Sequence, residues 1–338
     1  MRGQAGFTQL YLFADIGGRL VGGGQILVRA LPVVGRVGYL AYGPLVAPDA
    51  PDPTAVRTAL VDGLERVGRE MLSGLFVQPP EDAYSMSADL LARGFRRSAA
   101  GIAPVGSIRI DLTECLDTIR ARFGRRLRSW TNRWADRGVV VRRGDERDLP
   151  LLYALSEHSA AAQGYRPMTP TYVETLYREL APEHAALFVG ELDGVPLAAD
   201  LVTRCGGLVR GRISGFDRSG PAAQVSLPAA VRWEILKWAK DQDCRWLDFG
   251  GLTERTLDIL LTGGERPDEG WPAVDQPKLT FGGTAFRYPP PVEIISSPSL
   301  RTFFDIAQRS PRGQQALDLA ARLLRSGRSA LPQGRGSR

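Results

Sequence analysis

The sequence has few of the residues that enzymes use for nucleophilic, metal or histidine chemistry. It contains 2 histidines and 3 cysteines in 338 residues. The cysteines, Cys115, Cys205 and Cys244, are too far apart for a metal-ligand spacing or a disulfide framework. His158 and His184 have no adjacent cysteine or nucleophile-elbow serine motif. We therefore expect no metal site, and a reducing compartment suits this cysteine content.

Long apolar runs are also absent. No stretch approaches the roughly 20 residues that a membrane-spanning helix needs, and the first 20 residues lack a basic leader ahead of an apolar core. We expect a cytoplasmic protein without a transmembrane segment. With 43% hydrophobic and 24% charged residues the chain is of ordinary globular composition, and 338 residues suffice for two domains.

Lysine is nearly missing from a basic chain. Lys237, Lys240 and Lys278 are its lysines, although lysine and arginine together number 43 and the net charge is +6. This balance is compatible with a polyanionic partner but does not require one. Because lysine and arginine are not chemically interchangeable, each remaining lysine is of interest.

A pattern of hairpin, third strand, helix and fourth strand occurs twice. The hydrophobic periodicity predicts it over 10–30, 37–42, 54–71 and 74–77, and again over 186–205, 208–215, 227–240 and 245–249. This is the core order of the N-acetyltransferase (GNAT) fold, so we predict a mixed α/β (α+β) protein with two tandem GNAT-like modules and no coiled-coil arm. We place the first module at 1–112 plus 284–338, where helices over 299–325 return to it, and the second at 113–283.

A basic helix is predicted over 113–138, between the repeated units. Its apolar residues fall at steps of three or four, and arginines cover the remaining face. These arginines can be a solvated face. Alternatively they bind the phosphates of tRNA or of a diphosphate-bearing acceptor, for which the candidates are Arg125, Arg128 and Arg133.

An ordered set of short segments resembles the FemABX, or peptidoglycan-bridge, aminoacyltransferases. The segments are Tyr42-Gly43-Pro44, Arg125 to Val141, Leu192-Asp193-Gly194, Pro228 to Lys240 with Trp233-Glu234-Ile235, Trp246 to Gly251 and Pro277 to Gly283. The resemblance implies aminoacyl-tRNA as donor, no other cofactor, and an amine acceptor on a lipid-linked or nucleotide-linked cell-wall precursor or an antibiotic scaffold. The family's additional N-terminal segment and long helical arm are not recognised here. The amino acid and the acceptor stay undetermined.

The resemblance also suggests catalytic residues. Lys278 matches the lysine of the family's Phe-Lys-x-x-Phe-Gly segment, and we predict that it stabilises the oxyanion of the tetrahedral intermediate from a loop; the alternative is an ordinary surface lysine. Asp248, at the end of a predicted strand, is expected to orient the acceptor amine or take its proton. It could equally cap the following turn.

Further residues are predicted to bind substrate. Arg210 and Arg212 alternate along one strand and would share a sheet face suited to phosphate; Tyr42, Phe281 and Gly282 complete the set. Two other functions stay open: a coenzyme A-dependent N-acyltransferase, although 218–223 lacks the usual pyrophosphate-binding pattern, and a non-catalytic RNA- or anion-binding module.

Overall fold

The computed structural model describes residues 7–31, 34–101, 103–163, 167–218 and 220–315. The chain divides into two compact units. The second unit comprises Gly106–Phe286, and the first contains the chain before Gly106 and from Arg287 onward. The division expected from the sequence falls at 112/113 and 283/284. The first boundary differs because the strand that starts at Gly106 pairs within the second sheet.

The first unit begins with a hairpin and a helix, as predicted. Its elements before residue 100 are β1 Thr8–Ile16, β2 Arg19–Leu31, β3 Gly35–Ala41, β4 Leu45–Val46, α1 Pro53–Arg66 with a π-helical turn Val67–Met71, β5 Gly74–Gln78, α2 Tyr84–Ala92 and β6 Arg96–Arg97. Helix α1 begins where it does because the Asp52 carboxylate accepts hydrogen bonds from the N–H groups of Thr54 and Ala55, with Pro53 at the first helical position.

The second unit is a seven-stranded sheet covered by helices. In chain order it contains β7 Gly106–Asp111, α3 Leu116–Ala121, α4 Arg125–Trp130, β8 Val139–Gly144, α5 Leu149–Gln163, α6 Pro170–Leu180, β9 Ala185–Leu192, β10 Val195–Cys205, β11 Leu208–Phe216, α7 Pro221–Gln224, α8 Leu227–Asp241, β12 Trp246–Gly251, α9 Glu254–Thr262, α10 Gln276–Leu279 and β13 Thr284–Arg287. The strand order is β13-β7-β12-β11-β10-β9-β8. One buried cluster packs under α8 and another under α5 and α6, so helices cover both faces.

The chain then returns to the first sheet. Strand β14 Val292–Ile295 lies between β5 and β6, which gives the order β1-β2-β3-β5-β14-β6, with β4 paired to β2. Helix α11 Pro298–Gln308 follows. Its Phe304 packs against Phe76 and Val37 of the first sheet, and its Arg301 pairs with the buried Glu293 of β14. The part of the predicted 299–325 helical region beyond residue 315 lies outside the described residues.

The predicted continuous helix over 113–138 is wrong. The segment forms α3, α4 and a 3-10 turn at Ala135–Arg137 instead. The break falls at Gly124, whose backbone is extended and whose N–H donates to the carbonyl of Thr280 at 2.8 Å. The apolar stripe nevertheless packs as expected, since its central members are buried: Ile119, Phe123, Leu127 and Trp134.

No helix in the described part of the chain is both long and apolar enough to cross a membrane.

Candidate active site

A cleft opens in the second unit where two parallel strands separate. Strands β11 and β12 pair over three residues, ending at Arg210 opposite Asp248. Beyond that point β11 continues to Phe216 and β12 to Gly251. The space beside this separation holds about 150 Å³. In the first unit the corresponding strands β3 and β5 stay paired over the whole of β5. Within the described residues, this pair of strands therefore separates in the second unit and stays paired in the first.

Two carboxyl groups, Asp200 and Asp248, line this cleft. Asp200 lies on β10 opposite Ser214 of β11, and both of these residues line the opening. Burial raises the pKa of Asp200 to about 7, while the positive charge of Arg232 and a hydrogen bond from Ser214 act in the opposite direction. Asp200 can therefore change its charge near neutral pH.

Cations surround this carboxyl group. Arg212 of β11 and Arg232 of α8 line the cleft together with Asp200. The charge of Arg232 acts on both Asp200 and Lys278, which indicates that these three groups share one electrostatic environment. Such a set favours a ligand that carries negative charge or develops it during reaction.

Lys278 lies on the short helix α10, not in a loop as the sequence suggested. Its ammonium donates to the carbonyl of Gly251 at the end of β12, and the Asp275 carboxylate lies 3.9 Å away. Its side chain is 17% exposed. Burial lowers the pKa of Lys278. The negative charges of Asp275 and Asp248 act in the opposite direction and raise it. An ordinary surface lysine would not have these surroundings.

Asp275 precedes α10 and fixes the start of that helix. Its buried carboxylate accepts the Thr253 hydroxyl at 2.6 Å and the Thr253 backbone N–H. Thr253 in turn caps α9 through its own hydroxyl. The ends of β12, α9 and α10 are thus joined by hydrogen bonds, which limits the positions that the Lys278 ammonium can take.

Asp248 is held on both of its oxygens. One accepts from the Ser107 hydroxyl and from the Gly250 N–H at 2.7 Å, and the other accepts twice from the Arg210 guanidinium. The side chain has no exposed surface. Asp248 therefore caps the following turn, which was the alternative considered from the sequence. Its carboxylate accepts the N–H of Gly250, whose φ is +90°.

Arg210 and Arg212 do different things although they are two residues apart. Arg210 binds Asp248, whereas Arg212 lines the cleft and is exposed. The register of β10 against β11 shifts here, so that Leu201 pairs with Ile213 and Val202 with Gly211. Arg212 is the extra residue of this bulge, and the strict alternation assumed from the sequence does not hold across it.

Phe281 and Gly282 are structural, which corrects their assignment to substrate. Phe281 is 1% exposed and packs against Phe123 and Phe249 in the core. Gly282 has φ +65°, and a Cβ there would lie 2.3 Å from the carbonyl oxygen of Arg122. The glycine is needed because another backbone segment approaches it.

Tyr42 belongs to the first unit. It follows β3 with a left-handed φ of +53°, and its ring centroid lies 4.8 Å from that of Tyr288. It is half-buried there, outside the set of residues that line the second-unit cleft.

Some arginines of the basic segment form hydrogen bonds within the segment itself. Arg128 donates to the carbonyl of Ala121 at 2.7 Å, and Arg133 donates to the Ser129 hydroxyl at 2.6 Å. Arg125 is exposed at the start of α4. Some of the exposed arginines thus bind groups of the same segment, whereas Arg125 lies in solvent.

Other candidate sites carry less chemistry. A cavity of about 160 Å³ lies beside α9, but its charged lining residues, Arg255 and Glu269, are paired with each other. Within the described residues, no group of three or more His, Cys, Asp or Glu side chains is arranged to hold a metal ion.

Sequence reasoning missed Asp200, Ser214 and Arg232. A signal was present for the first, because Asp200 interrupts the otherwise apolar run Leu197 to Val202 in a strand read as buried. Arg232 and Ser214 gave no comparable signal. Their importance comes from strand pairing and from the side of α8 that faces the sheet.

Comparisons with known proteins support this architecture. Residues 119–257 match the family described as acetyltransferase (GNAT) domain. A solved structure of FemX is similar over 89% of this chain and 91% of its own, with a TM-score of 0.73 at 15% identity. The C-terminal domain of a protein from Agrobacterium fabrum, assigned as a lysylphosphatidylglycerol synthetase, is similar over 94% and 89%, with a TM-score of 0.57 at 15% identity.

A tandem GNAT protein from the clavulanic acid biosynthesis pathway is also similar, over 87% of this chain and 84% of its own, with a TM-score of 0.50 at 14% identity. No curated protein matches the sequence significantly. The chain thus has a tandem GNAT fold. Its arrangement is FemX-like, which confirms the predicted fold class and the structural side of the FemABX resemblance. Both findings support an acyltransferase.

Proposed function

We propose that this chain is an aminoacyltransferase that moves an amino acid from aminoacyl-tRNA to an amine acceptor, with amide-bond formation in the second-unit cleft. The observation that carries the proposal is the position of Lys278 on a FemX-like tandem GNAT fold. Its ammonium is bound at the end of β12, a strand whose Asp248 and Phe249 line the cleft. No other cofactor is needed, because the ester of the donor is already activated.

The chemistry assigned to Lys278 is electrostatic. Attack on the ester carbonyl creates an oxyanion, and a fixed cation in a partly buried site stabilises it more strongly than it stabilises the neutral ester. Hydrogen bonding to Gly251 and the nearby Asp275 hold the ammonium in place before the reaction. Arg212 and Arg232 add positive charge in the lining of the cleft.

The donor assignment rests on the basic segment and on the fold. Arg125, Arg128 and Arg133 lie on or beside α4 in the same unit as the cleft, where they would contact tRNA phosphates. For the acceptor we retain an amine on a lipid-linked or nucleotide-linked cell-wall precursor or on a natural-product scaffold. Because charged tRNA is a cytoplasmic substrate, we assign the protein to the cytoplasm.

A direct assay tests the donor. Bulk tRNA charged with radiolabelled amino acids would be incubated with the protein and with UDP-linked muramyl pentapeptide or a panel of aminated antibiotic scaffolds. We expect label to move into an acid-stable, hydroxylamine-resistant product, as an amide does and an ester does not. Ribonuclease added before the enzyme should abolish the transfer. Retention of all label on tRNA, with transfer from an acyl-coenzyme A, would reject the proposed donor.

A coenzyme A-dependent N-acyltransferase is the second candidate. It is favoured by the match of residues 119–257 to an acetyltransferase domain family. Against it, the segment before α8 lacks the usual pyrophosphate-binding pattern. Binding of tRNA without transfer from either donor would instead favour the non-catalytic module.

A further inference from the structure

Asp200 is the one carboxyl group in the second-unit cleft wall whose oxygens are not already committed to an ion pair in the described structure. Asp248 has four hydrogen-bond donors. Asp200 has a hydrogen bond from Ser214 and feels the charge of Arg232, and within the described residues it forms no ion pair. An acid so placed costs stability, and such groups are concentrated at functional sites.

The strand geometry directs Asp200 toward the cleft. Pairing of β9 with β10 is regular from Ala198 to Thr203, so Ala198, Asp200 and Val202 share one face. Ala198 and Val202 belong to the cluster that packs under α8, whereas Ala199 and Leu201 belong to the cluster on the opposite face. The carboxyl group therefore lies on the α8 side, where Arg232 also lines the opening.

We propose that Asp200 is the proton acceptor for the incoming amine in this cleft. This inference rests on the proposed acyl transfer and replaces Asp248 in the role that the sequence suggested for it. Asp248 then becomes a positioning residue that holds Arg210 and the turn at Gly250.

The step balances without a further reactant. The neutral amine attacks the ester carbonyl, a C–N bond forms, and the nitrogen passes one proton to the Asp200 carboxylate. The oxyanion is stabilised by the Lys278 ammonium. As the bond from carbon to the ribose oxygen breaks, protonated Asp200 returns its proton to that oxygen, so that amide, free tRNA hydroxyl and carboxylate are produced.

The charged groups around Asp200 set the pH at which this step operates. Ser214 faces it from β11 and Arg232 acts on it from α8. Arg212 of β11 and Asp248 of β12 line the same cleft, and Arg232 also acts on Lys278 of α10. Asp200 must be ionised to accept a proton, so the rate should rise with pH and level off above about 7. The Ser214 hydroxyl favours the ionised form, and its loss should move this rise to higher pH.

The test compares three variants of the full-length protein with the wild type, using charged bulk tRNA and the acceptor that gives transfer. Asp200→Asn should lower kcat by about 100-fold or more with little change in the KM for tRNA, and should remove the rise of the rate with pH. Ser214→Ala should keep the rise but displace it to higher pH. Glu293→Gln changes a buried carboxyl group of the first unit that also has a raised pKa, and should leave the pH profile of kcat unchanged.

A spectroscopic titration adds a readout that does not depend on the acceptor. With carboxyl-labelled aspartate, a 13C resonance that is absent from Asp200→Asn should titrate near pH 7 in the wild type, and higher in Ser214→Ala. An unchanged pH profile and near-normal kcat in Asp200→Asn would overturn the role of Asp200 alone, as would a loss confined to KM. Absence of transfer from both tRNA and coenzyme A donors to every acceptor would overturn the proposed function and this inference together.

Discussion

Arg210 and Asp248 stand directly opposite each other at the last paired position of β11 and β12, and the guanidinium donates two hydrogen bonds to one carboxylate oxygen. The pair closes the parallel ladder at the point where the two strands separate. Since the Asp248 side chain is fully buried and Arg210 is 24% exposed, this is an interior contact that fixes the mouth of the cleft.

We therefore expect Asp248→Asn to act mainly on stability. An amide has one acceptor oxygen and an NH2 group that cannot accept, so it leaves some of the donors around Asp248 without a partner. The variant should lose about 3 kcal/mol of unfolding free energy. Urea denaturation would measure this loss. The exposed Asp241→Asn, at the end of α8, is the matched control and should change stability by less than about 0.5 kcal/mol. A fully stable Asp248→Asn protein with no activity would restore Asp248 as a catalytic candidate.

Replacement of Lys278 should act mainly on turnover. Lys278→Ala should lower kcat by about 100-fold, with little change in donor binding, because an oxyanion contact is made only in the transition state. Lys278→Arg should recover part of the loss. Because Lys278→Ala loses the hydrogen bond to Gly251, it should also be about 1 kcal/mol less stable than the wild type.

Lys237→Ala is the matched control for this experiment. Lys237 pairs with Glu234 on α8 and is more exposed than Lys278, so its removal should leave kcat near the wild-type value. Steady-state kinetics with charged tRNA measure both variants. The lowered pKa of Lys278 also implies that the rate falls as pH rises through that pKa. A well-folded Lys278→Ala protein with normal kcat would leave oxyanion stabilisation to backbone donors.

Charge reversal in the basic segment should weaken RNA binding. Arg125 and Arg126 are exposed at the start of α4, and the double change to glutamate should reduce the slope of log affinity against log salt by about one for each phosphate that is no longer bound. Filter binding of tRNA at several salt concentrations gives the slope. Arg178→Glu, an exposed arginine on α6, should leave the slope unchanged. Equal slopes for all three proteins would mean that the arginines are only a solvated face.

The raised pKa of Asp200 also affects stability. A carboxyl group whose pKa is near 7 when folded and about 4 when unfolded favours the native state at low pH, and this contribution is lost as pH rises from about 4 to 7. Asp200→Asn should therefore melt higher than the wild type at pH 8, by about 2 °C or more. The two melting curves should converge at pH 4, and Asp241→Asn should show no such dependence. Higher stability of the wild type at pH 8 would contradict the raised pKa.

Phe304 should be the main apolar contact of helix α11 with the first unit. Phe304 is 9% exposed and packs against Phe76, whereas the adjacent Phe303 is 66% exposed. Phe304→Ala should cost about 3 kcal/mol. Phe303→Ala, which removes the same atoms from solvent-exposed surface, should cost less than about 1 kcal/mol. Similar losses in both variants would mean that α11 packs differently.

The repeated units could be predicted from the sequence because strands, helices and tight turns depend on residues that are close to one another in the chain. The hairpin glycines Gly17 and Gly18 adopt the positive φ that their turn requires, and the stripe from Ile119 to Trp134 is buried as its spacing indicates. The break at Gly124 was missed because it depends on a hydrogen bond to Thr280, about 150 residues later in the chain.

The site could be predicted less well than the fold. Lys278 was predicted from the short segment around it, which resembles a family motif, although the Gly251 carbonyl that binds its ammonium lies 27 residues earlier in the chain. Asp200 and Arg232 line the same cleft only because β10 lies beside β11 and α8 packs against β10. Asp248 was assigned a catalytic role because its hydrogen-bond donors, Ser107 and Arg210, come from two other strands. Periodicity reports which side chains are buried, but not the partners they meet.

The insertion of β14 between β5 and β6 has a consequence for synthesis on the ribosome. All strands of the second sheet are made by residue 287, whereas an interior strand of the first sheet spans Val292–Ile295. Until those residues emerge, β5 has an open edge with unpaired backbone groups, which is a hazard for misassembly. The second unit thus has all the strands of its sheet before the first unit does, although the first unit begins earlier in the chain. For most of its synthesis the nascent chain must therefore keep the incomplete first sheet from pairing with other strands.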